Sequence, residues 1–200
     1  GITVKLTTAD PFIQVTDSVE FAGNIAGNES LTLADAFEFI VADSVPDGHV
    51  VLFRVISDDG DSTWVSQFFV TARAPVLEFI DFFIDDSDGN NNGRIDPGET
   101  VSILTWVRNA GSSLASNVIT GLYTGGEYIT IDPPQQSCGN LSPGETSGLT
   151  FSVTADEDAP EGYLVDLTVD INADLGRTGN GTFTIVIGRY SALVIDLDPN

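Results

Sequence analysis

Residues 85–99 run Asp85-Asp86-Ser87-Asp88-Gly89-Asn90-Asn91-Asn92-Gly93-Arg94-Ile95-Asp96-Pro97-Gly98-Glu99. With Asp88 at position 1, Asn90 falls at 3, Asn92 at 5, Gly93 at 6, Arg94 at 7, Ile95 at 8, Asp96 at 9 and Glu99 at 12. That is the register of a twelve-residue calcium loop of the EF-hand type. A hard cation takes about six to eight oxygens at about 2.3–2.6 Å, and alternate side chains of a tightly turning loop all point inward. Position 7 needs only a backbone carbonyl, so an arginine there is no obstacle. Gly93 supplies the positive φ of the sharp turn. The spacing predicts calcium held by Asp88, Asn90, Asn92, Asp96, Glu99 and the Arg94 carbonyl, with Asp85 or Asp86 as extra or substitute ligands. The alternative is a solvated acidic turn that holds no ion.

The flanks of this loop are not helical. Val76–Ile84 is rich in aromatic and β-branched residues, and Thr100–Asn109 has apolar residues at alternate positions. Both have the character of strands. Pro97-Gly98 disfavours a helix starting within the loop. The loop therefore joins two strands.

Composition extends this to the whole chain. Among 200 residues there is no Met and one Lys, while Gly, Thr, Val, Ile and Phe are plentiful, which points to an all-β chain. A net charge of −23 excludes a nucleic-acid backbone as partner and fits a solvated extracellular surface or cation binding. No run of about 20 apolar residues is present, so membrane insertion is not expected. Cys138, the single cysteine, forms no intrachain disulfide.

An internal repeat sets the domain plan. FIQVTDSVEFAGNIAGNES (12–30) matches YITIDPPQQSCGNLSPGET (128–146), pairing Ile13 with Ile129, Gly23 with Gly139 and Glu29 with Glu145 at an offset of 139 − 23 = 116. Beyond a two-residue shift, Pro46-Asp47-Gly48 matches Pro160-Glu161-Gly162, and Phe68-Val70 matches Phe183-Ile185. A period this long means duplicated domains, and short strands with frequent turn signals suggest β-sandwiches. Gly-Asn and Ser-Pro-Gly read as tight turns. The expectation is tandem immunoglobulin-like β-sandwiches, the first N-terminally truncated because it has no counterpart of residues 76–117. Residues 1–74 form the first, 75–188 the second, and 189–200 a strand leading to a downstream domain or an added edge strand. The sequence reads as a piece of a longer array.

The pattern GNxNGxIDPGE, a strand ending in Asn109-Ala110-Gly111, then GxLxPGE and a Pro-x-Gly hairpin resembles bacterial immunoglobulin-like modules. Such CARDB-like modules occur in large secreted Bacteroidetes proteins, including those beside gingipain-type peptidases. The resemblance implies a secreted or cell-surface location in a Gram-negative bacterium and a non-catalytic spacer or adhesion role. It further implies neighbouring domains of the same polypeptide as partners, with a cell-surface protein or glycan as a second class.

No catalytic constellation accompanies these features. GxSxG, HExxH, GxxxxGK[ST] and CxxC are missing. His49 aligns with Tyr163 and reads as structural, and Cys138 has no base near it in the pattern. Trp64 and Trp106 are candidates for sugar stacking, against the alternative of packing at a sheet edge or between domains. The leading expectation is a calcium-stabilised, non-enzymatic spacer or adhesion module. The alternative is a carbohydrate- or peptide-binding module with its own ligand.

Overall fold

The computed structural model describes residues 1–189, and these are nearly all β, with fourteen strands and a single 3-10 turn at Asp174–Gly176. The chain divides into two compact units, residues 1–74 and a second that starts at Pro75. The tail strand expected at 190–198 lies outside the described residues.

The first unit contains β1 (Ile2–Thr7), β2 (Ile13–Asp17), β3 (Val19–Gly23), β4 (Glu38–Val41), β5 (Val50–Asp58) and β6 (Thr63–Thr71). They form a four-stranded antiparallel sheet, β3-β1-β5-β6, and a two-stranded sheet, β2-β4. Leu6, Val51 and Phe53 are its buried centre, with Ile13, Val15, Phe37 and Phe39 packed against them.

The second unit contains β7 (Leu77–Asp85), β8 (Thr100–Asn109), β9 (Ala115–Thr124), β10 (Ile129–Ile131), β11 (Gln135–Leu141), β12 (Thr146–Ala155), β13 (Tyr163–Asn172) and β14 (Thr178–Ile187). Its two sheets, β10-β12-β8-β7 and β11-β9-β13-β14, make an immunoglobulin-like sandwich. The alternation seen in sequence sets what is buried. Val101, Ile103, Thr105 and Val107 face inward from β8, while Ser102, Leu104 and Trp106 face outward. Phe82 stacks on Phe183 across the sandwich, with ring centroids 3.9 Å apart.

The repeat holds strand by strand. The order β3-β1-β5-β6 recurs as β11-β9-β13-β14, and the pair β2-β4 recurs as β10-β12. Gly23 (φ 71°) and Gly139 (φ 74°) share a left-handed backbone, as do Gly48 (φ 74°) and Gly162 (φ 78°). His49 N–H donates to Pro46 O at 3.3 Å, and Tyr163 N–H to Pro160 O at 3.2 Å. Phe12 meets His49 edge-on at 4.9 Å, and Tyr128 meets Tyr163 likewise at 5.0 Å. His49 Nε2 also lies 2.7 Å from Asp10 Oδ2. Among the described strands of the second unit, β7 and β8 alone have no counterpart in the first. Gly139-Asn140 is not the expected tight turn: both residues lie within β11, at a β-bulge where Cys138 and Gly139 oppose Val118 and Gly139 takes a positive φ.

The first unit should therefore be the weaker one. Its buried apolar centre is small, and its second sheet has two strands. Each unit carries one tryptophan, Trp64 or Trp106, so each reports separately. In a Trp106→Phe background, Trp64 fluorescence should follow a urea transition at lower concentration than Trp106 follows in a Trp64→Phe background. Coincident transitions in a verified monomer would contradict this.

Candidate metal-binding loop

The segment 86–99 leaves the end of β7 and returns to the start of β8. It is fastened at both sides. Ile95 is fully buried, forms a parallel bridge with Ile187, and its carbonyl accepts the Gly188 N–H at 2.8 Å. Gly98 N–H reaches the carbonyls of Ala155 and Asp156, both at 3.2 Å, while Ala155 N–H donates to Glu99 O at 2.9 Å. The loop thus touches β12 of one sheet and β14 of the other.

Asp86 organises its first turn. This carboxylate is 4% exposed, and its Oδ2 accepts the N–H groups of Asn92 at 2.6 Å and Gly93 at 2.9 Å. Gly93 has φ 77°, as the turn requires. Gly89 N–H closes on Asp86 O at 2.8 Å, and a Cβ at Gly89 would collide with the Glu99 carboxylate.

Asp96 and Glu99 complete the arrangement. Asp96 Oδ2 receives the side-chain amides of Asn90 and Asn92, each at 2.6 Å. Glu99 Oε1 accepts the Asn90 N–H at 3.0 Å, and Oε2 accepts the Asp96 N–H at 2.9 Å. The Oε2 contact belongs to the turn Asp96-Pro97-Gly98-Glu99 itself. The same turn recurs at Ser142-Pro143-Gly144-Glu145, where Glu145 Oε2 accepts the Ser142 N–H at 2.7 Å. Glu99 Oε1 is the oxygen directed into the loop.

Asp86, Asn90, Asn92, Asp96 and Glu99 are thus joined in one network of oxygen-bearing side chains. Asp88, position 1 of the register, is exposed and forms none of these hydrogen bonds. Asp85 caps the Ser87 N–H at 3.0 Å, and hydrogen bonds from the Ser87 side chain and backbone hold its carboxyl below the usual range. The Arg94 Nε–H donates to Asn92 Oδ1 at 3.5 Å. Among the described residues, no three His, Cys, Asp or Glu side chains gather as a cluster of charged ligands. The set instead interleaves carboxylates with amides whose Nδ2 groups face Asp96 here; with the amides rotated to offer Oδ1 the set is all oxygen, the chemistry that a hard cation selects. Sequence spacing underrated Asp86, since its burial comes from the path of β7.

The chain matches no family model and no curated protein. Among solved structures it is similar to Spo0M, a sporulation control protein from Bacillus subtilis, with 17% identity and a TM-score of 0.37 over 58% of this chain and 50% of that one. It is similar to the alpha-2-macroglobulin of E. coli, with 12% identity and a TM-score of 0.42 over 76% of this chain and 9% of that one. The archaellum periplasmic stator protein FlaG from Sulfolobus acidocaldarius aligns with 14% identity and a TM-score of 0.29, over 55% of this chain and 100% of that one. The chain spans half the length of the sporulation protein and 9% of the macroglobulin. Likenesses this slight transfer no function.

Proposed function

We propose that this chain is a non-catalytic spacer or adhesion segment of a larger secreted or cell-surface protein, and that calcium stabilises its second unit. The observation that carries the reading is the loop 86–99, in which Asn90, Asn92, Asp96 and Glu99, at positions 3, 5, 9 and 12 of the calcium-loop register, share one network with the buried Asp86. These residues hold the ion through side-chain oxygens, with Asp85 and Asp88 near enough in sequence to add charge. The role is structural. The cation offsets the repulsion of clustered acids and fixes where β7 ends and β8 begins. No helix among the described residues is long and apolar enough to cross a membrane. Neighbouring domains of the same polypeptide are the expected partners.

Three carboxylates and two amides suggest a dissociation constant on the order of 10⁻⁵ to 10⁻⁴ M, so roughly 1 mM calcium stabilises the unit by about 1.4–2.7 kcal/mol. EDTA should lower the melting temperature followed by Trp106, and calcium should restore it. Magnesium should substitute poorly, because it demands a tighter, more hydrated shell. A melting temperature indifferent to EDTA and to calcium would leave the loop as an acidic turn.

A second reading rests on the outer face of β7 and β8. Phe83, 57% exposed, pairs with Leu104, and Trp106, two residues on along β8, leans over Gly148 of β12. This apolar strip, flanked by the outward Ser102 and Thr150, is the kind of surface on which a sugar ring or an extended peptide stacks. A glycan screen in which Trp106→Ala abolishes saturable binding would favour it over the spacer.

A further inference from the structure

We propose that the first unit is an acceptor for a two-stranded β-hairpin of the β7–β8 kind, which completes its second sheet. The repeat itself says what belongs there. In the second unit β12 runs for ten residues, and β10 pairs only with Ile129–Ile131 opposite Val153–Ala155, whereas β8 holds Thr146–Thr154 along the whole length. The counterpart β4 has four residues and, among the described residues, pairs with β2 alone. Residues 32–37, which correspond to the part of β12 that β8 holds, form no strand. Backbone without a ladder partner on either side has no reason to be extended. Among the described residues, nothing pairs with the second edge of β4.

The facing sheet is uncovered at the same place. Phe183 is 9% exposed beneath Phe79 and Phe82 of β7, while its counterpart Phe68 is 41% exposed. Ile185 is 3% exposed and its counterpart Val70 is 36% exposed. All nine residues of β6 are exposed, and none carries a charge. A long, uncharged, apolar edge strand is one that native proteins otherwise protect.

The fit also specifies the occupant. In the second unit, Gly179 and Gly181 let β7 approach so closely that a Cβ on either would collide with Leu77 or Phe79. Trp64 and Ser66 stand at those positions in the first unit. The incoming hairpin therefore carries small residues opposite Trp64 and Ser66, and an aromatic residue opposite Phe68. Main-chain pairing along β4 gives affinity, and this size pattern gives selectivity.

The test adds a second copy of residues 76–116 directly ahead of Gly1 in the full chain, the spacing at which Gly1 takes the place of Asn117. The added copy carries Leu77→Gly and Phe79→Ser to clear Trp64 and Ser66. Amide exchange at residues 32–37 and in β6 should slow on the order of tenfold or more, with the second unit unchanged as internal control. A further Phe82→Asp change in the added copy should abolish the gain. Exchange at 32–37 and β6 that ignores the added hairpin would overturn the proposal. So would slow exchange of those amides in the unaltered chain when it sediments as a dimer, since a second copy would then be the occupant.

Discussion

Asn109→Ala should cost the second unit about 3–5 kcal/mol, because buried backbone groups left without a partner cost about 1–3 kcal/mol each. Asn109 ends β8 and is fully buried. Its Oδ1 accepts the N–H groups of Gly111 at 3.0 Å and Val76 at 3.2 Å. Its Nδ2 donates to the carbonyls of Ser113 at 2.8 Å and Leu141 at 2.9 Å. Its own backbone pairs with Glu145 O and Gly144 N–H. One side chain thus ties the entry to β7, the turn after β8 and the end of β11. Aspartate would not rescue the site, since it would turn a carboxylate oxygen toward the Ser113 and Leu141 carbonyls. Urea denaturation followed by Trp106 in a Trp64→Phe background measures the loss. A cost below about 1 kcal/mol would mean that the freed groups reach water or new partners.

Ile95→Ala should cost about 2–5 kcal/mol, the range for truncating a fully buried isoleucine, and lower the melting temperature by about 10 °C. The effect has two parts. Removing the side chain leaves a cavity between the sheets, and it loosens the parallel bridge to Ile187. The second part predicts that calcium protects the variant less than the parent, because the loop no longer starts from a fixed frame. Thermal melting with and without calcium separates the parts. A variant as stable as the parent would show that the loop is held by its backbone contacts to Ala155 and Asp156 alone.

Much of the architecture is legible in the sequence. The alternation in β8, the shared glycines 48/162 and the left-handed Gly93 all follow from local rules that sequence exposes directly, whereas Gly139, matched to Gly23 by the repeat, sits in a bulge and not in the turn its Gly-Asn pair suggests. What could not be read depends on contacts between distant segments. Strict alternation through Leu77 and Phe79 would turn Asp81 and Phe83 inward, but a bulge between Phe79 and Asp81 resets the phase so that Phe82 and Ile84 face the core. The loss of strand at residues 32–37 depends on a β8 that the first unit does not contain. Asp86 and Asn109 gain their roles from burial, and two polar residues in a loop-rich stretch give no sign of it. Within the candidate loop, the spacing picks out Asn90, Asn92, Asp96 and Glu99, which share hydrogen bonds, and also Asp88, which stays exposed outside them.

The Ile95–Ile187 bridge has a mechanical consequence. Gly179 lies against Leu77 and Gly181 against Phe79, so β7 and β14 run in the same direction on opposite sheets. The chain enters the second unit at one end of the sandwich and leaves β14 at the other. Tension applied through Leu77 and Ile187 is therefore directed along the strands, and the antiparallel ladders of β7 with β8 and of β13 with β14 resist it in shear, many bonds at once. The loop 86–99 is clipped to the departing end of β14. Any ion that stiffens it acts as a catch at the point where the pull leaves the unit.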